Sequence, residues 1–252
     1  MTTSHDRLMP IATHSTRWLV ERSAGQLRIY HDSGLGPAQC AALHLRDSYF
    51  RLNAGLDCGW GTSIILLPVY WCQGRCHHGA PVTATWREDG QRLVLDLEGA
   101  PGDLSVSLSV ALSPPTDGRM VAYVRVRVEG APTLDDRPGE RFKPVMLSSM
   151  YASPATWDAH SAQVGRRQVP LPLGGWIVPP DALTPASTFG LIGGTCQWKV
   201  NAPTVRIALD RSLTVTGWVT RSDDPNDDSV GLWAAADAVL HSYGYRITAS
   251  MP

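Results

Sequence analysis

Alternation of apolar and polar positions runs through most of this chain, and it is clearest over residues 103–130. Leu104, Val106, Leu108 and Val110 recur at every second position with serines between them. After Pro114-Pro115-Thr116-Asp117-Gly118 the pattern resumes as Tyr123-Val124-Arg125-Val126-Arg127-Val128. Successive strand side chains point to opposite faces. Period two on both sides of a Pro/Gly turn therefore predicts two antiparallel strands with one buried and one wet face.

The same grammar recurs. Arg17-Trp18-Leu19-Val20 and Gln26-Leu27-Arg28-Ile29-Tyr30 flank Ser23-Ala24-Gly25, and Thr83 to Arg87 and Arg92 to Leu97 flank Asp89-Gly90. Each reads as a hairpin, because Gly supplies the positive φ that a tight turn requires. Further strands are expected at residues 145–150, 175–178, 204–209, 212–219 and 245–248. The fourth is expected to pair with the third through Asp210-Arg211. Residues 135–143 and 169–186 read as long Pro-rich connections, of the kind that shape a site.

One segment reads differently. Ser229 can cap a helix that Gly244 would stop, with Leu232, Trp233, Ala236, Val239 and Leu240 forming one apolar stripe. Roughly fifteen strands and one helix predict an all-β chain: a large antiparallel β-sandwich, super-sandwich or jelly-roll like, with one C-terminal helix. No repeat and no linker divides it, so residues 1–252 are expected to form one domain.

The paired strands over 103–130, with Pro-Pro-Thr-Asp-Gly-Arg at their turn, resemble the galactose-mutarotase-like super-sandwich found in many carbohydrate-active enzymes. The resemblance implies that fold and a sugar-related role. It does not imply mutarotase activity: aldose epimerases of that family use a late Glu as base, and no Glu follows Glu140 here.

Composition narrows the partners. The net charge is −1 with both signs interspersed, so no basic face is offered to nucleic acid or an anionic membrane. No apolar run approaches the ~20 residues of a spanning helix. The polar start Met1-Thr2-Thr3-Ser4-His5-Asp6 lacks a signal-peptide core, which predicts a cytoplasmic protein. Only Lys143 and Lys199 are lysines, and nine Trp accompany three Phe. Trp offers a flat face on which a sugar ring stacks. Among five cysteines, the isolated Cys40 and Cys196 read as small buried hydrophobes.

Two clusters carry chemistry. Trp71, Cys72, Arg75, Cys76, His77 and His78 fall within one short stretch behind an apolar strand. Cys72, Cys76 and His77 have the residue types and spacing of zinc ligands, although no second Cys/His pair completes a site. Tyr151, Trp157, Asp158 and His160 form the second cluster, in which an extended chain puts Asp158 and His160 on one face. His160 or Tyr151 would then transfer a proton and Asp158 would orient the imidazole. Trp157 and Trp71 would stack on sugar, while Arg75, His78 and Lys199 hold polar or acidic groups. The acidic loop over residues 223–228 offers oxygen ligands for calcium but lacks the spacing of a calcium loop. No cofactor is expected.

No Gly-rich phosphate loop, GxSxG or HExxH occurs. The function expected is that of a carbohydrate-active enzyme cleaving a glycosidic bond, as hydrolase or lyase, in a cleft on the sandwich. Its partner would be a small-molecule or oligosaccharide substrate. The alternatives are an isomerase or cyclase acting on a hydrophobic metabolite, and a non-catalytic sugar-binding protein.

Overall fold

A computed structural model describes residues 18–46, 49–52, 62–65, 70–72, 75–77, 81–100, 105–129, 143–151, 160–170, 175–177, 188–193, 204–209, 216–221, 229–236 and 242–250. They form two nine-stranded antiparallel sheets and one small ribbon. In spatial order the first sheet holds β1 (Trp18–Ser23), β2 (Gln26–Asp32), β3 (Pro37–His44), β4 (Tyr49–Leu52), β5 (Thr62–Ile65), β12 (Lys143–Tyr151), β19 (Ser229–Ala236), β18 (Thr216–Arg221) and β15 (Gly175–Ile177). The second holds β14 (Arg167–Pro170), β13 (His160–Val164), β16 (Thr188–Gly193), β17 (Thr204–Leu209), β20 (Ser242–Ser250), β11 (Arg119–Glu129), β10 (Ser105–Leu112), β9 (Arg92–Gly99) and β8 (Val82–Asp89). The ribbon pairs β6 (Tyr70–Cys72) with β7 (Arg75–His77).

The core lies between the sheets and follows the alternation. Leu27, Ile29, Leu43, Phe50 and Leu52 enter from the first sheet; Leu93, Leu95, Leu97, Val106, Leu108, Val110, Val124, Val126 and Ile247 enter from the second. Each such side chain contributes about 1.5–3 kcal/mol by leaving water. Cys40 is buried, as its surroundings predict, and its thiol donates to the Ile29 carbonyl. Burial pushes that thiol up to about 12. Cys196 lies outside the described residues.

The expected hairpins form with small shifts of register. Asp89 pairs with Arg92, so the loop is Gly90-Gln91 and not Asp89-Gly90. At the other turn Thr116 and Arg119 exchange both backbone hydrogen bonds, at 3.1 and 2.9 Å. Asp117 and Gly118 between them have φ of 50° and 67°. Two successive positive φ values make this a type I′ turn, whose twist matches the flanking strands.

Three expectations are corrected. Ser229–Ala236 is not a helix: β19 pairs along its length with β12 and β18. Ladder hydrogen bonds on both sides outweigh the helix propensity of its alanines. Residues 237–241 of the expected helix lie outside the described residues. Second, β17 and β18 do not form a hairpin, because they belong to different sheets. Third, the connection expected from Val169 does not begin there, since Val169 and Pro170 belong to β14, while the strand expected at 175–178 is β15.

Two backbone-anchored contacts align the sheets. Trp18 Nε1 donates to the Gln91 carbonyl at 2.9 Å, and the Val82 amide donates to the Leu45 carbonyl at 2.7 Å. The first ties the start of β1 to the turn after β8; the second ties the end of β3 to the start of β8. At the far edge β18 lies against β13 and β16. The strands of the two layers thus run side by side, as in aligned sheet packing.

Candidate functional site

This alignment fixes which strand ends meet. In the first sheet, Tyr151 lies opposite Ser229, and Met150 opposite Thr62. Thr62 pairs with Leu52, and the register continues through Ala41 and Ile29 to Val20, two residues from Trp18 at that end of β1. In the second sheet, His160 lies opposite Gly193, at the end of β16 where β17 begins. Thr204 pairs with Ser250 and Ser250 with Arg119; along β11 this same end leads through the Ala122–Leu112 and Leu112–Leu93 pairs to the turn at Gln91. Since Trp18 meets Gln91, Tyr151 and His160 emerge at the same end of the sandwich, one from each sheet.

Trp157 and Asp158 lie outside the described residues, in the eight residues that join Tyr151 to His160. Lys199 also lies outside them, between Gly193 and Thr204, which are both at this end. The acidic stretch 223–228 follows Arg221 and precedes Ser229, and it too lies outside the described residues. The backbone therefore brings the flanks of the Tyr151, Trp157, Asp158, His160 and Lys199 segments to one place.

The ribbon is fed from the opposite end. Ile65 at the end of β5 and Val82 at the start of β8 bracket it, and both lie at the Leu45 end. β6 lies against β12. In the ribbon Tyr70 pairs with His77, Trp71 with Cys76 and Cys72 with Arg75. His78 lies outside the described residues.

One feature escaped sequence reasoning. On the outer face of the second sheet, two polar rungs run across the strands: Thr83, Glu98, Ser107, Arg127 and Ser242, then Thr85, Asp96, Ser109, Arg125 and Gly244. They line an open trough of about 420 Å³. The signal was present in the serines of β10 and in Arg125 and Arg127 of β11. Only the register shows that they align with Asp96 and Glu98.

No family model matches the chain, nor does any curated protein sequence. Solved structures do match. The alpha-N-acetylgalactosaminidase NagBb from Bifidobacterium bifidum, in its GalNAc complex, aligns over 92% of this chain and 36% of its own, with a TM-score of 0.53 at 11% identity. Its ligand-free form aligns over 90% and 35%, with a TM-score of 0.50 at 9% identity. A GalM/aldose epimerase homologue from C. elegans aligns over 94% of this chain and 96% of its own, but its TM-score of 0.31 at 7% identity is too low to bear on the fold. The likeness to the glycosidase is one of fold, and this chain spans little more than a third of that enzyme's length.

Proposed function

We propose that this chain is a carbohydrate-active enzyme that cleaves a glycosidic bond at the end of the sandwich where Tyr151 and His160 emerge. The observation that carries this reading is their arrival at one end from different sheets, with the Trp157-Asp158 and Lys199 segments spliced between strand ends there. Imidazole and phenol transfer protons to and from sugar oxygens, and a carboxylate fixes the imidazole tautomer. Asp158 takes the orienting role, Trp157 the stacking role, and Lys199 holds an acidic substituent. The fold shared with a glycosidase supports sugar as the substrate class.

The test is product release from neutral and uronic-acid glycans, followed by reducing ends and by the absorbance of unsaturated products. His160→Ala is expected to lower kcat by roughly 10²–10⁴-fold while leaving the unfolding midpoint unchanged. Turnover retained in both His160→Ala and Tyr151→Phe sinks the assignment.

A second reading is sugar binding without cleavage, which the fold shared with a glycosidase supports equally. The contacts would then come from the β6–β7 ribbon, which carries Trp71 and Arg75 and is followed by His78. Saturable glycan binding with no product from any glycan, lost in Trp71→Ala, would establish it.

A further inference from the structure

From the trough on the outer face of the second sheet we infer a separate binding site for an anionic sugar unit, of the uronic acid class. Ser107 and Ser109 of β10 form its floor. Asp96 and Glu98 of β9 stand along one side, and Arg125 and Arg127 of β11 along the other. Neighbouring strands are about 4.8 Å apart, which puts the two walls about 10 Å apart. Side chains of this length bridge such a gap readily, and the same sheet shows it. Further along the same face, the Arg92 guanidinium lies over the Tyr123 ring at 4.9 Å, reaching diagonally from β9 to β11 past Ala111.

Over the serines, the ion pairs among the described residues turn away from the gap. Asp96 pairs with Arg87, on the far side of β9. Arg127 pairs with Glu129 of its own strand at 3.1 Å. The floor stays open between a carboxylate and a guanidinium, Glu98 and Arg125, that stand diagonally across it. Gly244, opposite Arg125 on β20, places no side chain beside it. The chemistry of the opening is therefore specific. A guanidinium fork matches a carboxylate bidentately. The serine hydroxyls, each both donor and acceptor, and the Glu98 carboxylate match a row of ring hydroxyls. A uronate carries both groups, whereas a neutral sugar leaves Arg125 without its partner.

This site lies on a sheet face and is independent of bond cleavage at the Tyr151 and His160 end, so the two fail separately. Calorimetry with tetragalacturonate and with its methyl ester, which keeps the hydroxyls and removes the charge, tests it. Tetragalacturonate is expected to bind, and Arg125→Gln to weaken it roughly tenfold or more, the worth of one charge-assisted hydrogen bond. The methyl ester should bind the unmodified protein no better than the acid binds Arg125→Gln. Arg125 is exposed on its strand, so the variant should keep the unmodified unfolding midpoint; Ser107→Val and Glu98→Gln provide a second route to the same loss. Absence of binding, equal affinity for acid and ester, or affinity unchanged in all three variants overturns the inference. His160→Ala should leave this binding untouched, whatever it does to cleavage.

Discussion

Glu88 shows how an exposed-looking strand position carries a cost. It follows the inward-facing series Val82, Ala84 and Trp86 of β8, and its Oε1 is buried with no hydrogen-bond partner among the described residues. Desolvation disfavours the charged form and raises the carboxyl above its ordinary value. The folded state therefore holds the proton more tightly than the unfolded chain does. Stability contributed by the neutral acid is present below the unfolded value of about 4.3 and is lost as pH rises through the raised folded value. Glu88→Gln removes that dependence. Its urea midpoint is expected to gain on the unmodified protein between pH 4 and pH 7, and a constant difference across that range would show that Glu88 does not titrate differently on folding. The inward alternation of β8 was legible in Val82-Thr83-Ala84-Thr85. That a carboxylate ends the inward series was not, because a Glu close to a hairpin turn reads as solvated until the opposite layer is in place.

Single elements were legible where their causes were local. The Asp117-Gly118 turn, the strand over 204–209 and the alternation of β10 follow from residues a few positions apart. β19 was misread because a Gly/Ala-rich apolar segment fits a helix as well as a strand flanked on both sides, and the flanking strands β12 and β18 are distant in sequence. Gly190 illustrates the same dependence on neighbours. A Cβ built there would stand 2.0 Å from the Val205 carbonyl oxygen and 2.9 Å from the Arg206 Cα. These are backbone atoms of the paired strand, which no rotamer change moves aside. Gly190→Ala must therefore push β16 away from β17, with a loss of several kcal/mol, at the upper end of single substitutions. Gly118→Ala, where nothing lies within 4 Å of the added Cβ, is expected to cost about 1 kcal/mol through its positive φ alone. Chemical denaturation of the two variants gives the comparison, and equal losses would mean that the β16–β17 approach is looser than it stands here.

At the scale of the molecule, sequence order and spatial order part company. The sheets are assembled from strands far apart in the chain: β5 adjoins β12, and β11 adjoins β20. This explains why two candidate clusters were visible in the sequence while their separation was not. Tyr151 and His160 are only nine positions apart, yet they belong to different layers, and the Trp71 ribbon is fed from the end opposite to both. The last strand makes the non-local dependence testable. β20 sits near the middle of the second sheet, between β17 and β11, and buries Tyr243, Tyr245, Ile247 and Ala249. Removing residues 242–252 would leave two inner ladders unpaired and expose Tyr243, Tyr245 and Ile247, each worth about 1.5–3 kcal/mol on burial, together with the smaller Ala249. That sum approaches the whole stability of a domain, about 5–15 kcal/mol. The truncated chain is expected to show no cooperative unfolding transition and to collect in the insoluble fraction. A truncated chain that unfolds cooperatively near the full-length midpoint would mean that β11 and β17 close the sheet without β20. The same centrality bears on function, because any site set by both sheets at the Tyr151 and His160 end forms only after the final strand has docked.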